Sequence, residues 1–434
     1  MEDSPHLVVY NMEIIRHRTH DLPLSNQIIH EALDESLAGK NLKKVLLIPP
    51  DITRYHSNAG MITNYYYHKL KDTCLVDILP ALGTHDPMTP SEVIDMYGDI
   101  PFDRFIVHRW RTDIVKVGEV PASYVSEITE GLWNKPVTME LNKIILDPSY
   151  DLIISIGQVV PHEVIGMANH SKNIFVGCGG KSTIHQSHMI GAVYGMERMM
   201  GKDHTPVRKV LDYAWKNFIS HLPLIFVLTV TTAPENKIET HGLFIGDTRR
   251  LLEEAVKVAQ HKNINFVPTG IKTCVVYLDP KEFRSTWLGN KSVYRTRMAV
   301  ADGGNLIVMA PGITKFGEDE KIDQLIRKYG YVGRKKVLEL FHQNEDLQQN
   351  MSAAAHLIHG SSDDRFNITY AIKDMPLDVM KSVNFNAVSY DEALKKYPIH
   401  TFKPGYNTLP NGEEIYYIEN PALGLWINQE KFKD

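Results

Sequence analysis

The chain has 434 residues, 43% of them hydrophobic, with 47 Lys and Arg against 52 Asp and Glu. That length supports two or three domains around a large core, and a slightly acidic balance without a long basic run excludes the electrostatic footprint of a nucleic-acid binder, leaving a small molecule as the expected partner. Cys74, Cys178 and Cys274 are too scattered for a disulfide framework or a CxxC metal knuckle, and the opening MEDSPHLVVYNMEIIRH has neither a basic-then-apolar leader nor a membrane span, so a cytoplasmic protein without membrane attachment is expected.

In chain order, the apolar run KVLLIPP predicts a strand, 58–71 a helix, CLVDILPALG a strand, the residues after Thr89 a helix, and RFIVHRW and DLIISIG two further strands. LPLIFVLTVTT and the helical stretch 248–261 close this first series. A second begins at CVVYL and runs through NLIVMAPGI, helical segments within 320–359, and FNITYAI. Strands alternating with helices imply an α/β fold, two α/β domains with largely parallel sheets and the active site in the cleft between them. Pro and Gly at 267–270 interrupt both periods, so the expected domains are 1–268 and 269–434.

Polar residues gather where these strands should end, which is where ligands sit in open α/β sheets. After KVLLI come Pro49, Pro50, Asp51, Ile52, Thr53 and Arg54: an acceptor for ribose hydroxyls, a donor, and a clamp for carboxylate or phosphate. The ordinary alternative is a capped turn followed by a surface Arg. Gly83, Thr84 and His85 follow the next strand, and a glycine there lets a ligand approach the backbone. His108 ends RFIV. The stretch 160–188, VPHEVIGMANHSKNIFVGCGGKSTIHQSH, is the richest. Its Gly179-Gly180-Lys181 resembles the end of a P-loop, but Phe175 stands where that motif needs its first Gly, so a nucleotide triphosphatase is a poor reading while amides for a phosphate remain. His185 and His188 can share a helix face as metal ligands do, yet no HExxH or Cys pair accompanies them.

PDITR, GTHDPMT, VHRW, VPH and GGKS occur in one order on one chain. Together they resemble the lactate racemase family, whose members use a nickel-pincer nucleotide, a pyridinium mononucleotide that holds nickel through two sulfurs and a ring carbon. The resemblance implies that Lys181 carries the nucleotide covalently, that His108 and His162 are the acid/base pair, and that Asp51 touches the nucleotide together with Thr53, Gly83, Thr84, His85, Gly179 and Gly180. It implies that Arg54 and Lys291, the latter in WLGNKSVYRTRMAVADGG, bind the substrate. His188 is preferred over His185 as the nickel ligand because Ser187-His188 precedes the small-residue stretch MIGAVYG. An extra segment, Met167 to Ser171 at its centre, separates VPH from GGK and makes His170 a rival to His162.

The activity so implied is a racemase or epimerase inverting C2 of a 2-hydroxy acid by hydride transfer to the nucleotide, with two imidazoles handling the hydroxyl proton. Ser361, Ser362, Asp363, Asp364 and Arg365, with Tyr294, Arg295 and Arg297, read as contacts for a polar substrate tail and favour a sugar acid such as gluconate. Malate, 2-hydroxyglutarate and lactate are alternatives. A zinc-dependent hydrolase using His162, His185 and His188, or a metallocofactor carrier without catalysis, are the rival classes.

Overall fold

A computed structural model describes residues 12–17, 22–234 and 237–432, so residues 1–11 of the opening stretch lie outside the described residues. The chain divides into two compact units, one of residues 1–187 and 201–262, the other of 188–200 and 263–434. The division at 262/263 precedes the Pro-Gly signal at 267–270, and the helix Lys181–Tyr194 contributes its first half to one unit and its second half to the other.

The first unit contains β1 (Glu13–His17), β2 (Lys44–Ile48), β3 (Leu75–Ile78), β4 (Ile114–Val120), β5 (Val137–Asn142), β6 (Leu152–Gln158), β7 (Pro161–His162), β8 (Gly166–Met167), β9 (Leu224–Thr232) and β10 (Glu239–Gly246). Six of them form a sheet in the order β1-β10-β9-β6-β2-β3. β3, β2, β6 and β9 run parallel, and β10 and β1 extend the sheet antiparallel. The apolar runs become strands because both faces are covered: Val45, Leu46, Leu47 and Ile48 are fully buried. One face packs against helices Asn26–Leu37, Ala59–Leu70 and Pro90–Tyr97 through Ile29, Leu33, Ile62, Tyr66, Val93 and Tyr97. Thr89 caps the last of these with Glu92 in a reciprocal capping box, the start signal the sequence carries there.

Two local expectations differ. RFIV forms no strand; after the turn Phe102–Arg104 it makes a single bridge, Phe105 to Ile78, because the chain peels away from the sheet edge. The antiparallel pair β4–β5 has no strong turn signal in the sequence and stands apart from the main sheet.

The second unit contains β11 (Ile264–Val267), β12 (Ile271–Tyr277), β13 (Val300–Met309), β14 (Asn367–Ile372), β15 (Asn386–Ser389), β16 (Gly405–Thr408), β17 (Glu414–Ile418) and β18 (Leu425–Asn428). Its sheet runs β15-β14-β13-β12-β17-β16, parallel except at the β16 edge, and β11 pairs with β18 separately. The fold is α/β with largely parallel sheets in both units. No helix among the described residues is long and apolar enough to cross a membrane.

Candidate active site

In the first sheet β2 lies beside β6, and the chain leaves β2 toward β3 on one side and β6 toward β9 on the other, which opens a crevice at their carboxyl ends. Asp51 occupies that point. It caps the short helix Ile52–Ser57, accepting Thr53 N–H at 3.0 Å and the Thr53 hydroxyl on Oδ1, while Oδ2 takes His85 Nδ1 at 2.5 Å. The carboxylate is buried, which would raise its pKa; the hydrogen bond and charge of His85, helped by Thr53 and Arg54, outweigh burial and hold it below the usual range. His85 arrives from the end of β3 by a tight turn in which Gly83, at φ +58°, donates its N–H to Gly177 O at 2.7 Å. The imidazole is half exposed. Asp51 thus places Oδ1 on its own turn and Oδ2 on His85.

The glycine-rich turn is held from below. Asn173 donates to Ile48 O at 3.1 Å and Ser155 Oγ at 2.9 Å, tying the turn to the end of β2 and to β6. A Cβ on Gly179 would lie 1.8 Å from Phe175 O, and one on Gly180 would lie 2.3 Å from Glu140 Oε2. That carboxylate of β5 accepts the Ser182 N–H at 2.9 Å, and Thr183 Oγ1 accepts Glu140 N–H at 2.8 Å. Both glycines are demanded by close packing, and a protein carboxylate already caps the helix start. Lys181 stands exposed at the first position of that helix.

His108 reaches the same turn. It is buried, its Nε2 donates to Gly179 O at 3.1 Å, and its Nδ1 accepts from Asn142 Nδ2 at 3.0 Å. Asn142 Oδ1 takes the Ile144 N–H, which fixes the amide's orientation. Burial lowers the imidazole's pKa. With both nitrogens committed to a neutral tautomer, the ring pins the glycine turn and has no lone pair for a substrate.

Residues 10–200 match the family model of the lactate racemase N-terminal domain. Over that stretch the chain is similar to the lactate racemase family. The lactate racemase of Lactiplantibacillus plantarum is 27% identical over 257 residues, 57% of this chain and 54% of that protein, so the chain spans about half the length of the curated relative it matches. Two solved structures share the fold. A Thermotoga maritima protein aligns with a TM-score of 0.79 and 22% identity over 93% of this chain and 98% of its own. The lactate racemase apoprotein from Thermoanaerobacterium thermosaccharolyticum aligns at 0.68 and 16%, over 91% and 88%. The region matched to the family model holds Asp51, Arg54, His85, His162, Lys181 and His188; Lys291 lies beyond it.

The remaining histidines of the family-matched region separate cleanly. His162, in β7 beyond the end of β6, is half-buried, and its Nδ1 accepts the Val164 N–H at 3.1 Å. His170 is fully buried, stacked on Phe226 at 3.9 Å with Trp215 edge-on at 4.8 Å. Burial, then the charges of Arg208 and Arg249, push its pKa well down, so it belongs to the core of the first unit rather than to its strand-end crevice. His185 and His188 are both half-buried on the helix Lys181–Tyr194. Elsewhere in this unit Asp203, His204 and Glu253 bring three metal-competent atoms within 4.8 Å, beside Arg249, which binds Asp203 at 2.6 Å.

In the second unit Lys291 opens the helix Lys291–Thr296, half-buried, with Nζ 5.7 Å from the centre of the Phe283 ring. The residues read as contacts for a sugar tail are mostly engaged internally. Arg297 is buried against Glu197 at 2.9 Å, Asp363 at 3.1 Å and the carbonyls of His359 and Ser361. Arg365 joins Glu197 and Asp302. Ser361 Oγ accepts the Gly333 N–H and donates to Leu357 O. Tyr294 hydroxyl meets His356 Nδ1 at 2.6 Å, and Tyr331 hydroxyl meets its Nε2 at 2.8 Å.

Lys172, Glu140 and Asn142 escaped the sequence reading. Only Lys172 carried any local signal, a lysine within the segment inserted between VPH and GGK. Glu140 and Asn142 reach the turn from a hairpin whose position no local pattern announces.

Proposed function

We propose that this protein is a racemase or epimerase that inverts C2 of a 2-hydroxy acid with a nickel-pincer nucleotide, and that His85 takes the place first given to His108. The observation that carries this reading is the Asp51–His85 pair at the carboxyl edge of β2, inside the region that matches the lactate racemase N-terminal domain. A carboxylate accepting Nδ1–H leaves Nε2 as the basic atom, within the half-exposed part of the ring, where it can take a hydroxyl proton and return it. Asp51 steadies the imidazolium so formed. His162 lies in β7, which follows β6, the strand on the other side of β2 from β3, and would serve as the second imidazole that inversion requires. Its Nδ1 is engaged by Val164, which puts the neutral ring's proton on Nε2; it starts as a hydrogen-bond donor and becomes a base on releasing that amide.

The residues fit the nucleotide: Lys181 presents an exposed amine at a helix start, and His185 and His188 follow it four and seven residues on, within about 40° of the same helix face. Lys181 would hold it covalently and His188 would bind its nickel, with Gly83 and the exposed Thr84 alongside. When bound, the group supplies a hydride acceptor, which avoids forming a carbanion beside a carboxylate. Arg54 would orient the substrate's carboxylate. The internal pairing of Arg297, Arg365 and Ser361 removes the ground for preferring gluconate, so lactate is the first substrate to assay, with malate, 2-hydroxyglutarate and gluconate beside it.

The test is protein made in a host that synthesises the cofactor, assayed for nickel, intact mass and chiral conversion of those four acids. Nickel with conversion of one acid supports the reading. Zinc alone with hydrolytic activity favours the hydrolase, and loaded protein that converts none favours a carrier.

A further inference from the structure

Lys172 follows the left-handed pair Asn169 and His170, and its N–H bonds back to Asn169 O at 3.3 Å. Next to it Asn173 is fastened to Ile48 at the carboxyl end of β2 and to Ser155 within β6, so the lysine is delivered to the same sheet edge as the Asp51–Arg54 turn. Its stem is half-buried. The charges that act on it are Arg54, Glu163, Asp51 and Arg208. Among the described residues its ammonium has no hydrogen-bonded carboxylate. Arg54, for its part, donates only to the carbonyl and hydroxyl of Thr53. Two cations are thus held near one another at a strand-end crevice, repelling each other, and an oxyanion between them relieves that repulsion.

We propose that Lys172 and Arg54 form an oxyanion subsite in the first unit, taking either the carboxylate of a hydroxy acid or the phosphate of a nucleotide. This rests on the reading of the strand-end crevice as the ligand site, and it adds a residue which that reading did not use. Burial, with repulsion from Arg54, lowers the Lys172 ammonium to about 8. Lys172 therefore loses its proton across pH 7 to 9, and a loss of affinity over that interval is its signature.

The experiment is calorimetric titration of the full chain with lactate and, separately, with sulfate, a tetrahedral oxyanion whose charge is constant over this range. Wild type should bind one of them and lose about tenfold in affinity from pH 7 to pH 9. Lys172→Met should weaken that probe about tenfold or more at pH 7. Lys172→Arg should restore binding and remove the pH dependence, a result that a merely structural role would not give. The probe affected identifies the source, carboxylate or phosphate. Unchanged affinity in Lys172→Met with unchanged melting temperature, or a pH dependence that persists in Lys172→Arg, overturns the proposal. Binding is read without turnover, so failure of the racemase reading, seen as no conversion by loaded protein, is a separate outcome.

Discussion

His85 Nδ1 lies 2.5 Å from Asp51 Oδ2, which joins the turns leaving two adjacent parallel strands into one unit. His85→Ala should lower turnover about 100- to 10,000-fold and also lower the melting temperature, because it leaves the buried Asp51 carboxylate without its partner. Asp51→Asn should lower turnover too. Because the Asp51 pKa is lowered in the folded state, its contribution to stability is present above the unfolded carboxyl's value and is lost as pH falls through the folded value. Acid unfolding of Asp51→Asn should therefore begin from a lower plateau and vary less below pH 4.

Replacing His108 tests the opposite assignment. His108→Ala leaves Gly179 O and Asn142 Nδ2 without their partner, which should cost about 1–3 kcal/mol of stability, measured by urea unfolding. Any loss of activity should follow the loss of folded protein. A folded His108→Ala variant with abolished turnover would return His108 to the catalytic pair.

The two glycines before Lys181 should respond differently. Gly179→Ala meets a backbone oxygen at 1.8 Å, which cannot move aside, and should fail to fold or melt far below wild type. Gly180→Ala meets the Glu140 side chain, and the double change Gly180→Ala with Glu140→Ala should recover part of the lost melting temperature.

Lys181→Ala should abolish the mass increment of protein from a cofactor-producing host. His188→Ala should lose nickel, whereas His185→Ala should keep most of it; the reverse result exchanges their roles. Metal content and intact mass decide both.

His356 is enclosed by Tyr294, Tyr331 and Trp287, and burial, with the neighbouring His359, pushes its pKa down to about 3. Below about pH 6.5 the unfolded chain takes up a proton that the folded chain refuses, so stability falls as pH drops from there toward 3. His356→Gln should flatten this dependence in denaturant unfolding at pH 4 and 7, at a cost in stability at pH 7.

The strands and most helices of the first unit were legible because a buried parallel strand leaves an uninterrupted apolar run and a capped helix announces its start, as KVLLIPP and Thr89 do. The placement of Asp51 and His85 at strand ends followed from the same patterns. What the sequence hid depended on contacts between distant segments. His108 looks like any strand-end imidazole until Asn142, from a hairpin 34 residues on, and Gly179, 71 residues on, claim both its nitrogens. Gly179 and Gly180 look like a phosphate cradle until Glu140 occupies the helix start. The polar run 361–365 reads as a binding surface until Arg297 and Glu197 are found to engage Ser361, Asp363 and Arg365.

Arg208 sits fully inside the first unit, with its guanidinium donating to Ser171 Oγ at 2.8 Å, Met167 O at 2.8 Å and Asn169 O at 3.0 Å. The extra segment between His162 and Lys181 is therefore measured out against a buried cation instead of hanging as slack. Shortening it by a single residue would strand a charge that the interior cannot solvate, so its length is under the same constraint as a core side chain, and chimeras that graft a shorter linker here must also replace the arginine.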